Sequence, residues 1–308
     1  MKPEISIIMA TYNRAHFIVE TLQSIQKQTF ENFECLIIDD GGTDNTQEVI
    51  QPILDNDKRF LFQKRTEKYK KGLPGCRNYG LDIAKGNYII FFDDDDIIHS
   101  QNLNTLIQII KTKNIDFCSY QKQSFKNKIP KEKNEKVVVE NTISIKTIYE
   151  IVTKKILIAS CTVLWSKECF ETIRFNENLM YAEEWECYTR IILENKKGIQ
   201  INSILYFNRK HPNSNTSEFY ANNPVRRNSN KDAVLENLKN IQSKKVLSQK
   251  LFKYFVQIAY NFRDFNLIDD VFKEVKLSLP IKIYWKFYYK TLPFRIANTR
   301  LLKRLKIK

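Results

Sequence analysis

The sequence lacks any apolar run long enough to cross a membrane. Its longest apolar stretches, residues 5–10 and 88–92, have the length of a β-strand and are flanked by polar residues. This pattern excludes a membrane-spanning helix, which needs about 20 predominantly apolar residues. The first four residues lead directly into a strand-like segment, without the apolar stretch and cleavage site of a signal peptide. We therefore expect a cytoplasmic protein.

The cysteines lack the close spacing of metal ligands. None of the six belongs to a CxxC pair, and several lie inside apolar runs, where cysteine behaves as a small hydrophobic residue. We interpret them as reduced core residues. They are Cys35, Cys76, Cys118, Cys161, Cys169 and Cys187.

The chain also lacks an internal repeat and a compositional linker. With 308 residues, 43% of them hydrophobic, it can form one large α/β core with an added subdomain, or two modest domains. The net charge of +15 indicates attraction to a polyanion: nucleic acid, an anionic membrane surface or a phosphorylated substrate.

Short β-rich runs alternate with amphipathic helical segments over the first 120 residues, which is typical of βαβ units. The predicted strands are residues 5–9, 35–38, 59–63 and 87–92, and the helices between them are residues 15–28, a segment ending near Leu54, and residues 76–85. Gly86 suits a left-handed residue at the end of the third helix. The predicted fold class is α/β, with a mostly parallel central sheet flanked by helices.

The pattern changes at residues 125–135, which are polar, rich in lysine and without periodicity, so we predict a loop there. Beyond it the sequence predicts a helix at residues 145–154, a strand at 159–165 and a helix that begins near Glu183. A final helical region covers roughly residues 230–308.

Four consecutive aspartates, Asp93, Asp94, Asp95 and Asp96, follow the fourth predicted strand. They therefore lie at the carboxyl edge of the sheet, where open α/β folds bind ligands. Adjacent carboxylates repel one another unless a cation or water compensates their charge, and Mg²⁺ or Mn²⁺ bridges such oxygens to substrate phosphates. We predict a metal and diphosphate site; the alternative is a solvated acidic turn before a helix.

Several ordered motifs give the chain a resemblance to the family 2 glycosyltransferases, which have the GT-A fold. The motifs are SIIMATYNR (residues 6–14), LIIDDGGTDNT (36–46), GLPGCRNYGLDIAKGNYIIFFDDDDI (72–97), FNENLMYAEEWECYTR (175–190) and YFNRKHPNSNTS (206–217). The chain departs from the family pattern at Ala10, where proline is common, and at Cys76, where alanine is usual. The resemblance implies a GT-A domain with a C-terminal helical extension.

The resemblance assigns the donor-binding residues. It implies that Thr11, Tyr12 and Asn13 form the nucleotide loop, and an aromatic face such as that of Tyr12 can stack on a base. Asp40, with Asp39 beside it, corresponds to the acid that bonds the nucleobase, usually uracil. Read without the resemblance, residues 39–44 would be an ordinary Asp/Gly turn.

The same resemblance assigns the residues around the diphosphate. Arg77 is expected near the donor. Asp93 and Asp95 correspond to the two acids of the DXD motif. Asp95 is the first choice as direct metal ligand, and Asp93 contacts the metal or the donor's ribose or sugar. Asp94 lies between them, and Asp96 matches a further acid of the motif.

A base is required on the acceptor hydroxyl, because inverting transfer proceeds by in-line attack. Glu184 falls where the family has its catalytic aspartate, and Glu183 is the alternative if the register shifts by one residue. The structural interpretation is a glutamate-rich helix start with Trp185 as a core anchor.

A later loop supplies further candidates. The resemblance implies that His211 completes the metal shell, whereas a histidine before proline in a polar loop can also be merely exposed. Arg209 and Lys210 are positioned in sequence to neutralise the departing diphosphate.

The C-terminal segment, residues 281–308, has nine lysines and arginines, no acids and several interspersed aromatic residues. This composition suits an anionic membrane surface, and the alternative is a helix packed on the catalytic core with a solvated basic edge. We expect no nucleic-acid partner, since no nucleic-acid-binding motif accompanies the charge.

Together these features predict a catalytic domain at residues 1–220, with a nucleotide-sugar half (1–115) and an acceptor half (116–220), and a basic helical region at 221–308. The predicted activity is inverting, Mn²⁺- or Mg²⁺-dependent transfer of a hexose or N-acetylhexosamine. The donor is a nucleotide sugar, most simply a UDP-sugar, and the acceptor is a glycan or a lipid-linked glycan of surface polysaccharide synthesis at the cytoplasmic membrane face. A catalytically inactive binding homologue and a metal-dependent phosphohydrolase remain as alternatives, although the latter needs an aspartate nucleophile where the chain has Ala10–Tyr12.

Overall fold

A computed structural model describes residues 2–133, 136–212, 214–262 and 265–305. The chain divides into two compact units, Met1–Ala233 and Val234–Lys308. The sequence placed the domain boundary after residue 220, whereas the compact units divide after Ala233.

The amino-terminal part of the first unit follows the predicted βαβ pattern. Four parallel strands lie in the order β3-β2-β1-β4. They are β1 (Ile5–Thr11), β2 (Phe33–Asp39), β3 (Phe60–Lys64) and β4 (Tyr88–Asp93), and the helices between them are α1 (Ile18–Gln26), α2 (Thr46–Asn56) and α3 (Leu73–Ile83). β2 is buried along its whole length, as expected for a parallel strand covered by helices on both faces.

The strand register brings the ends of β1, β2 and β4 to one edge of the sheet. Thr11 pairs with Asp39, and Ala10 pairs with Asp93. Because parallel strands present their carboxyl ends on the same side, the polar residues that follow them converge there.

Gly86 does not have the left-handed conformation that the sequence indicated, since the positive-φ glycines are Gly41 and Gly72. A Cβ atom at Gly86 would lie 2.5 Å from the backbone nitrogen of Ser6. The glycine is therefore required because the turn before β4 passes close to the start of β1.

The remaining part of the first unit makes the sheet mixed. Among the described residues the order continues from β4 through β8, β6 and β9 to β5, and β7 pairs with β9. These strands are β5 (Ile97–Ile98), β6 (Phe117–Phe125), β7 (Val139–Ile143), β8 (Val163–Ser166) and β9 (Gly198–Arg209). β8 is antiparallel to both β4 and β6, and β6 is parallel to β9. The predicted α/β class is confirmed, although the sheet is mixed: the consecutive parallel order ends at β4, and among the described strands beyond it only β6 and β9 pair in parallel.

Four helices complete the part of the first unit that lies before residue 224. They are α4 (Asn102–Lys113), α5 (Ile148–Val152), α6 (Glu183–Leu193) and α7 (Asn215–Tyr220). α6 begins where the sequence predicted a helix. All six cysteines are buried and free, as expected of core residues. Burial raises the pKa of the Cys118, Cys161, Cys169 and Cys187 thiols to about 12, so these side chains stay protonated.

The carboxyl-terminal region is helical, as predicted. Helix α8 (Pro224–Ser243) begins in the first unit, and α9 (Gln249–Asn261), α10 (Phe265–Glu274) and α11 (Leu279–Leu305) belong to the second unit. Aromatic side chains hold α9 and α11 together: the rings of Phe252 and Trp285 lie 4.8 Å apart, and those of Tyr260 and Tyr289 lie 5.5 Å apart. In the described part of the chain, no helix combines the length and apolar character needed to cross a membrane.

Candidate active site

A cavity of about 700 Å³ opens at the carboxyl edge of β1 and β4. Its walls come from the loop after β1, the segment that leads into α3, the aspartate run, the start of α6 and the loop after β9. The cavity lies within the first unit. It brings together residues that are far apart in the sequence.

The aspartate run divides into three residues that line the cavity and one that does not. Asp93, Asp94 and Asp95 line the wall. Asp96 is fully buried and accepts hydrogen bonds from the Asn208 amide at 3.0 and 3.1 Å and from the Arg209 backbone nitrogen at 2.6 Å. Asp96 therefore anchors the aspartate run to the end of β9.

The negative charges of the aspartate run are only partly compensated by neighbouring cations. Burial, followed by the neighbouring Asp95 carboxylate, raises the pKa of Asp94 to about 8, although Arg14 opposes this effect. Burial, followed by the carboxylates of Asp93 and Asp95, raises the pKa of Asp96 to about 8. Arg14 contributes ion pairs at 3.5 Å to Asp94 and 3.8 Å to Asp95. A bound cation would relieve the remaining repulsion.

The side chains around the run fit a hard divalent cation. Nε2 of His211 lies 2.8 Å from Oδ2 of Asp95. Ligand atoms of Asp93, Asp96 and Cys161 lie within 4.8 Å of one another. The Cys161 thiol, with its raised pKa, is a poor ligand for Mg²⁺ or Mn²⁺, whereas carboxylates are good ones. In the structure Asp95 therefore lies next to His211, and Asp93 lies near Asp96. The metal ligand set of Asp93, Asp95 and His211 stays a prediction.

Arg77 is a buried link between β4 and α6. Its guanidinium pairs with Glu183 at 2.8 Å and with Asp93 at 3.6 Å, and it lies over the rings of Phe91 and Phe175 at 5.6 and 5.3 Å. Only 2% of the residue is exposed. Arg77 therefore positions the acids around it, and its predicted contact with the donor stays untested.

Glu183 and Glu184 have different surroundings although they are neighbours in sequence. Ala182, which precedes α6, has a left-handed backbone conformation with φ 63°, uncommon for a residue with a side chain. Glu183 is buried against Arg77; burial and then the charge of Glu184 raise its pKa to about 7, and Arg77 opposes this rise. Glu184 is only partly buried and lines the cavity.

The nucleotide-loop residues divide into cavity-lining and turn-forming groups. Thr11 and Tyr12 line the cavity; Tyr12 is 45% exposed, with the Lys71 ammonium 4.7 Å from its ring centre. Asn13 has φ 55°, and its side-chain oxygen accepts hydrogen bonds from the backbone nitrogens of Thr43 and Asp44 at 2.7 and 3.2 Å. Asn13 therefore shapes the loop, while Tyr12 is available to a ligand.

The two acids after β2 also differ. Asp39 accepts hydrogen bonds from the backbone nitrogens of Gly41 and Gly42 at 3.2 and 3.1 Å, as expected of a turn-forming aspartate. Asp40 lines the cavity and accepts from Arg65 Nε at 2.6 Å and from the Gly72 nitrogen at 3.1 Å. Asp40 is the member of this pair that can reach a ligand.

Arg209 and Lys210 both line the cavity. The Arg209 guanidinium lies 5.1 Å from the Phe17 ring centre and 5.0 Å from that of Phe125, and its Nε donates to the Asp95 carbonyl at 2.9 Å. It also pairs with Glu20. Lys210 is exposed and free to move towards a ligand.

The cavity is also lined by polar side chains for which the sequence indicated no site role, among them Arg14, Lys71, Lys122, Tyr181 and Arg226. Arg14 directly follows the nucleotide loop, so its position in the motif was a usable signal. Lys122 enters through β6, where its Nζ lies 3.8 Å from Cys161 Sγ, and the sequence pattern had not indicated this strand.

Residues 6–173 match the sequence pattern of the family described as Glycosyl transferase family 2. This match covers more than half of the chain, and the chain belongs to that family. The match ends before Glu183, so the residues from α6 onwards have roles that rest on position and chemistry alone.

Among curated proteins, the chain is similar to UDP-Glc:alpha-D-GlcNAc-diphosphoundecaprenol beta-1,3-glucosyltransferase WfgD of Escherichia coli. The two are 38% identical over 113 residues, which cover 37% of this chain and 43% of WfgD. The aligned part is less than half of that relative's length.

Two solved structures have the same fold. The crystal structure of residues 1–349 of S. aureus TarS in complex with UDP matches with a TM-score of 0.62 at 19% identity, covering 92% of this chain and 78% of that one. The mannosyltransferase PcManGT from Pyrobaculum calidifontis, in complex with GDP-Man and Mn²⁺, matches with a TM-score of 0.56 at 15% identity, covering 97% and 84%. These similarities confirm the GT-A type of fold.

The buried Arg77–Glu183 pair predicts different stability effects for the two neighbouring glutamates. Glu183→Gln should lower the free energy of unfolding by about 3 kcal/mol, because it leaves a buried guanidinium with a weaker partner. Glu184→Gln should change it by less than about 1 kcal/mol, because this side chain is partly exposed. Urea unfolding followed by tryptophan fluorescence compares the two variants. Equal effects would contradict the structural role assigned to Glu183.

Proposed function

We propose that the protein transfers a sugar, with inversion, from a nucleotide-diphosphate donor to a hydroxyl group of a glycan or lipid-linked acceptor. One observation carries the proposal: a single cavity contains the paired Asp95 and His211, the half-buried Asp93 and the partly exposed Glu184. A cation-binding edge and a separate accessible carboxylate are the two groups that such a transfer requires.

The donor is a nucleotide sugar, most simply a UDP-sugar. The exposed Tyr12 ring offers a stacking face for the base, and Asp40 offers a carboxylate for its polar edge. Arg14, Lys71 and Lys210 line the same cavity and suit a diphosphate. The name of WfgD specifies UDP-glucose, and the TarS fragment binds UDP, which supports this choice.

Asp95, Asp93 and His211 are the residues that would hold Mn²⁺ or Mg²⁺. When bound, the cation supplies stabilisation of negative charge on the departing nucleotide diphosphate. Arg14 remains beside Asp94 and Asp95 and shares this task through its own charge. Arg209 orients the aspartate run through the Asp95 carbonyl.

Glu184 accepts the proton of the attacking hydroxyl. Both glutamates line the cavity, but Glu183 is buried and held by Arg77 at 2.8 Å, whereas Glu184 is partly exposed. Of the two candidates, Glu184 is therefore the base. The family's usual aspartate is shorter by one methylene group, and the left-handed turn at Ala182 sets the direction in which the longer side chain emerges.

The acceptor belongs to surface polysaccharide synthesis. The name of WfgD, which describes an acceptor sugar linked to diphosphoundecaprenol, supports this proposal. Such an acceptor is embedded in a membrane, so the enzyme works at the cytoplasmic membrane face. Residues 1–115 bind the donor, residues 116–220 bind the acceptor, and the region after residue 220 provides membrane contact.

Helix α11 has an exposed apolar face that suits this membrane contact. Leu279, Ile283 and Phe287 recur every four residues, are 70, 61 and 66% exposed, and are flanked by lysines; Phe294 continues the row at 78%. Trp285 is buried on the opposite side of the helix. An apolar row bordered by basic residues matches the interface of an anionic bilayer.

Donor binding should depend on Asp95 and on the metal. We expect UDP with Mn²⁺ to raise the thermal midpoint of the wild type by several degrees, because a ligand at 100 times its Kd stabilises the folded state by about 2.7 kcal/mol. Asp95→Asn should lose the Mn²⁺-dependent part of this shift. Asp57→Asn, which removes a surface ion pair with Arg59 outside the cavity, is the matched control. An unchanged shift in Asp95→Asn would show that the metal binds elsewhere.

Glu184→Gln should lower the rate of sugar transfer by roughly 10²- to 10⁴-fold, because the acceptor proton loses its base. Nucleotide binding in the thermal assay should stay at the wild-type level. Glu171→Gln, an exposed carboxylate outside the cavity, should transfer normally. If the wild type binds the donor but neither transfers nor hydrolyses it with varied acceptors, the protein is an inactive binding homologue.

The α11 face should bind anionic vesicles. The wild type should sediment together with phosphatidylglycerol vesicles. The sedimented fraction should fall when salt is added and when the vesicles contain phosphatidylcholine alone. The double variant Ile283→Ser, Phe287→Ser should bind at least several-fold more weakly, because about 1 kcal/mol of apolar contact is lost at each position. Leu157→Ser, which changes a comparably exposed apolar residue before residue 220, should behave as the wild type. Retention of the double variant at the wild-type level would refute this contact.

A further inference from the structure

Three aromatic residues form a continuous group beside the cavity. The rings of Tyr181 and Phe219 are stacked, with centres 4.6 Å apart and an angle of 8° between their planes. Phe219 contacts Tyr220 edge to face at 5.5 Å and 76°. We call Tyr181, Phe219 and Tyr220 the aromatic platform.

Tyr181 is the platform residue that lines the cavity. Tyr181 lines the same cavity as Glu184, and burial, followed by the charge of Glu184, raises the pKa of the Tyr181 phenol to about 12. The backbone of Tyr181 is fixed by Ser229, whose hydroxyl accepts from the Tyr181 nitrogen at 2.9 Å and donates to its carbonyl at 2.8 Å. Tyr181 is thus a rigid, neutral hydroxyl donor close to a carboxylate.

Charged groups border the platform on the cavity side. Arg226 Nε donates to Glu218 at 2.8 Å, and both residues line the cavity. Arg226 also donates to the Met180 carbonyl, which ties α8 to the loop that carries Tyr181. The Arg227 guanidinium lies 5.1 Å from the Phe219 ring centre. The platform therefore combines an apolar surface with hydrogen-bonding groups at its border.

Tyr220 contributes little to the packing of the protein. It is 76% exposed, whereas an aromatic side chain that serves the core buries most of its surface. A pyranose ring has one face of C–H groups and a perimeter of hydroxyls. An aromatic ring can pack against the C–H face, and the neighbouring Arg–Glu pair can form hydrogen bonds with the hydroxyls. A few polar groups that converge on an apolar surface are typical of ligand sites.

We propose that the aromatic platform binds a sugar ring of the acceptor glycan and so places its hydroxyl beside Glu184. This inference rests on the proposed function and specifies its acceptor: the enzyme recognises a sugar already present on the acceptor, and a bare lipid phosphate is a poor substrate. Tyr181 lies near the reacting sugar, and the exposed Tyr220 extends the surface outward.

Methyl glycosides of glucose, galactose and N-acetylglucosamine serve as probes, in saturation-transfer NMR with UDP and Mn²⁺ present. We expect the wild type to bind at least one of them, and Tyr220→Ala to bind it roughly tenfold more weakly, as suits the loss of one aromatic contact. Tyr220→Phe keeps the ring and should bind normally. Leu61→Ala removes an exposed apolar side chain from strand β3, outside the cavity, and should also bind normally.

A transfer assay separates this inference from the function on which it rests. Tyr220→Ala should raise the KM for a glycan acceptor roughly tenfold, with the KM for the donor and the hydrolysis of the donor unchanged. If Tyr220→Ala turns over the donor normally and its acceptor KM is unchanged, the platform does not bind the acceptor sugar, and the proposed function still stands. The absence of glycoside binding to the wild type would have the same meaning. A wild type that neither transfers nor hydrolyses any nucleotide sugar would refute the proposed function, and the acceptor assignment with it.

Discussion

The buried ion pair between Arg77 and Glu183 is the interaction on which the cavity depends. It joins α3, which carries Arg77, to the start of α6, and the same guanidinium reaches Asp93 at the end of β4. A buried charge is tolerated only with partners, and here each partner belongs to a different wall of the cavity. The pair therefore joins the sheet edge that carries Asp93 to the helix start that carries Glu184.

The cavity keeps an excess of negative charge near the sheet edge and distributes cations around it. Arg14 neutralises part of the aspartate run, and Arg209 is held between two aromatic rings with its guanidinium on the Asp95 carbonyl. Lys71 and Lys210 lie further out. A charged substrate that brings its own cation completes such an arrangement, whereas a neutral ligand would leave the carboxylates uncompensated.

The first four strands could be predicted from sequence because each is indicated by a local pattern. Apolar runs with helical segments between them define β1 to β4, and the polar residues after those strands define the sheet edge. The second half was harder. β6 and β9 pair over a long sequence separation, with Phe117 opposite Gly198, and both contain polar residues that obscure the strand pattern. Lys122 was missed for this reason. Sequence also could not separate Asp39 from Asp40, since backbone direction decides which of these neighbours faces the cavity. It could not separate Glu183 from Glu184 either, because these two differ in burial and in the contact with Arg77.

The pairing of β6 with β9 has a consequence for the order in which the protein assembles. The β1–β2 and β2–β3 registers join residues fewer than thirty positions apart, whereas the β1–β4 and β6–β9 registers each close a segment of about eighty residues, which costs more chain entropy and slows folding. We expect β1, β2 and β3 to pair first. An arrested or destabilised chain would then retain this three-stranded parallel unit while lacking the arrangement of Glu184, Tyr181 and Arg209 that only the long-range pairings create.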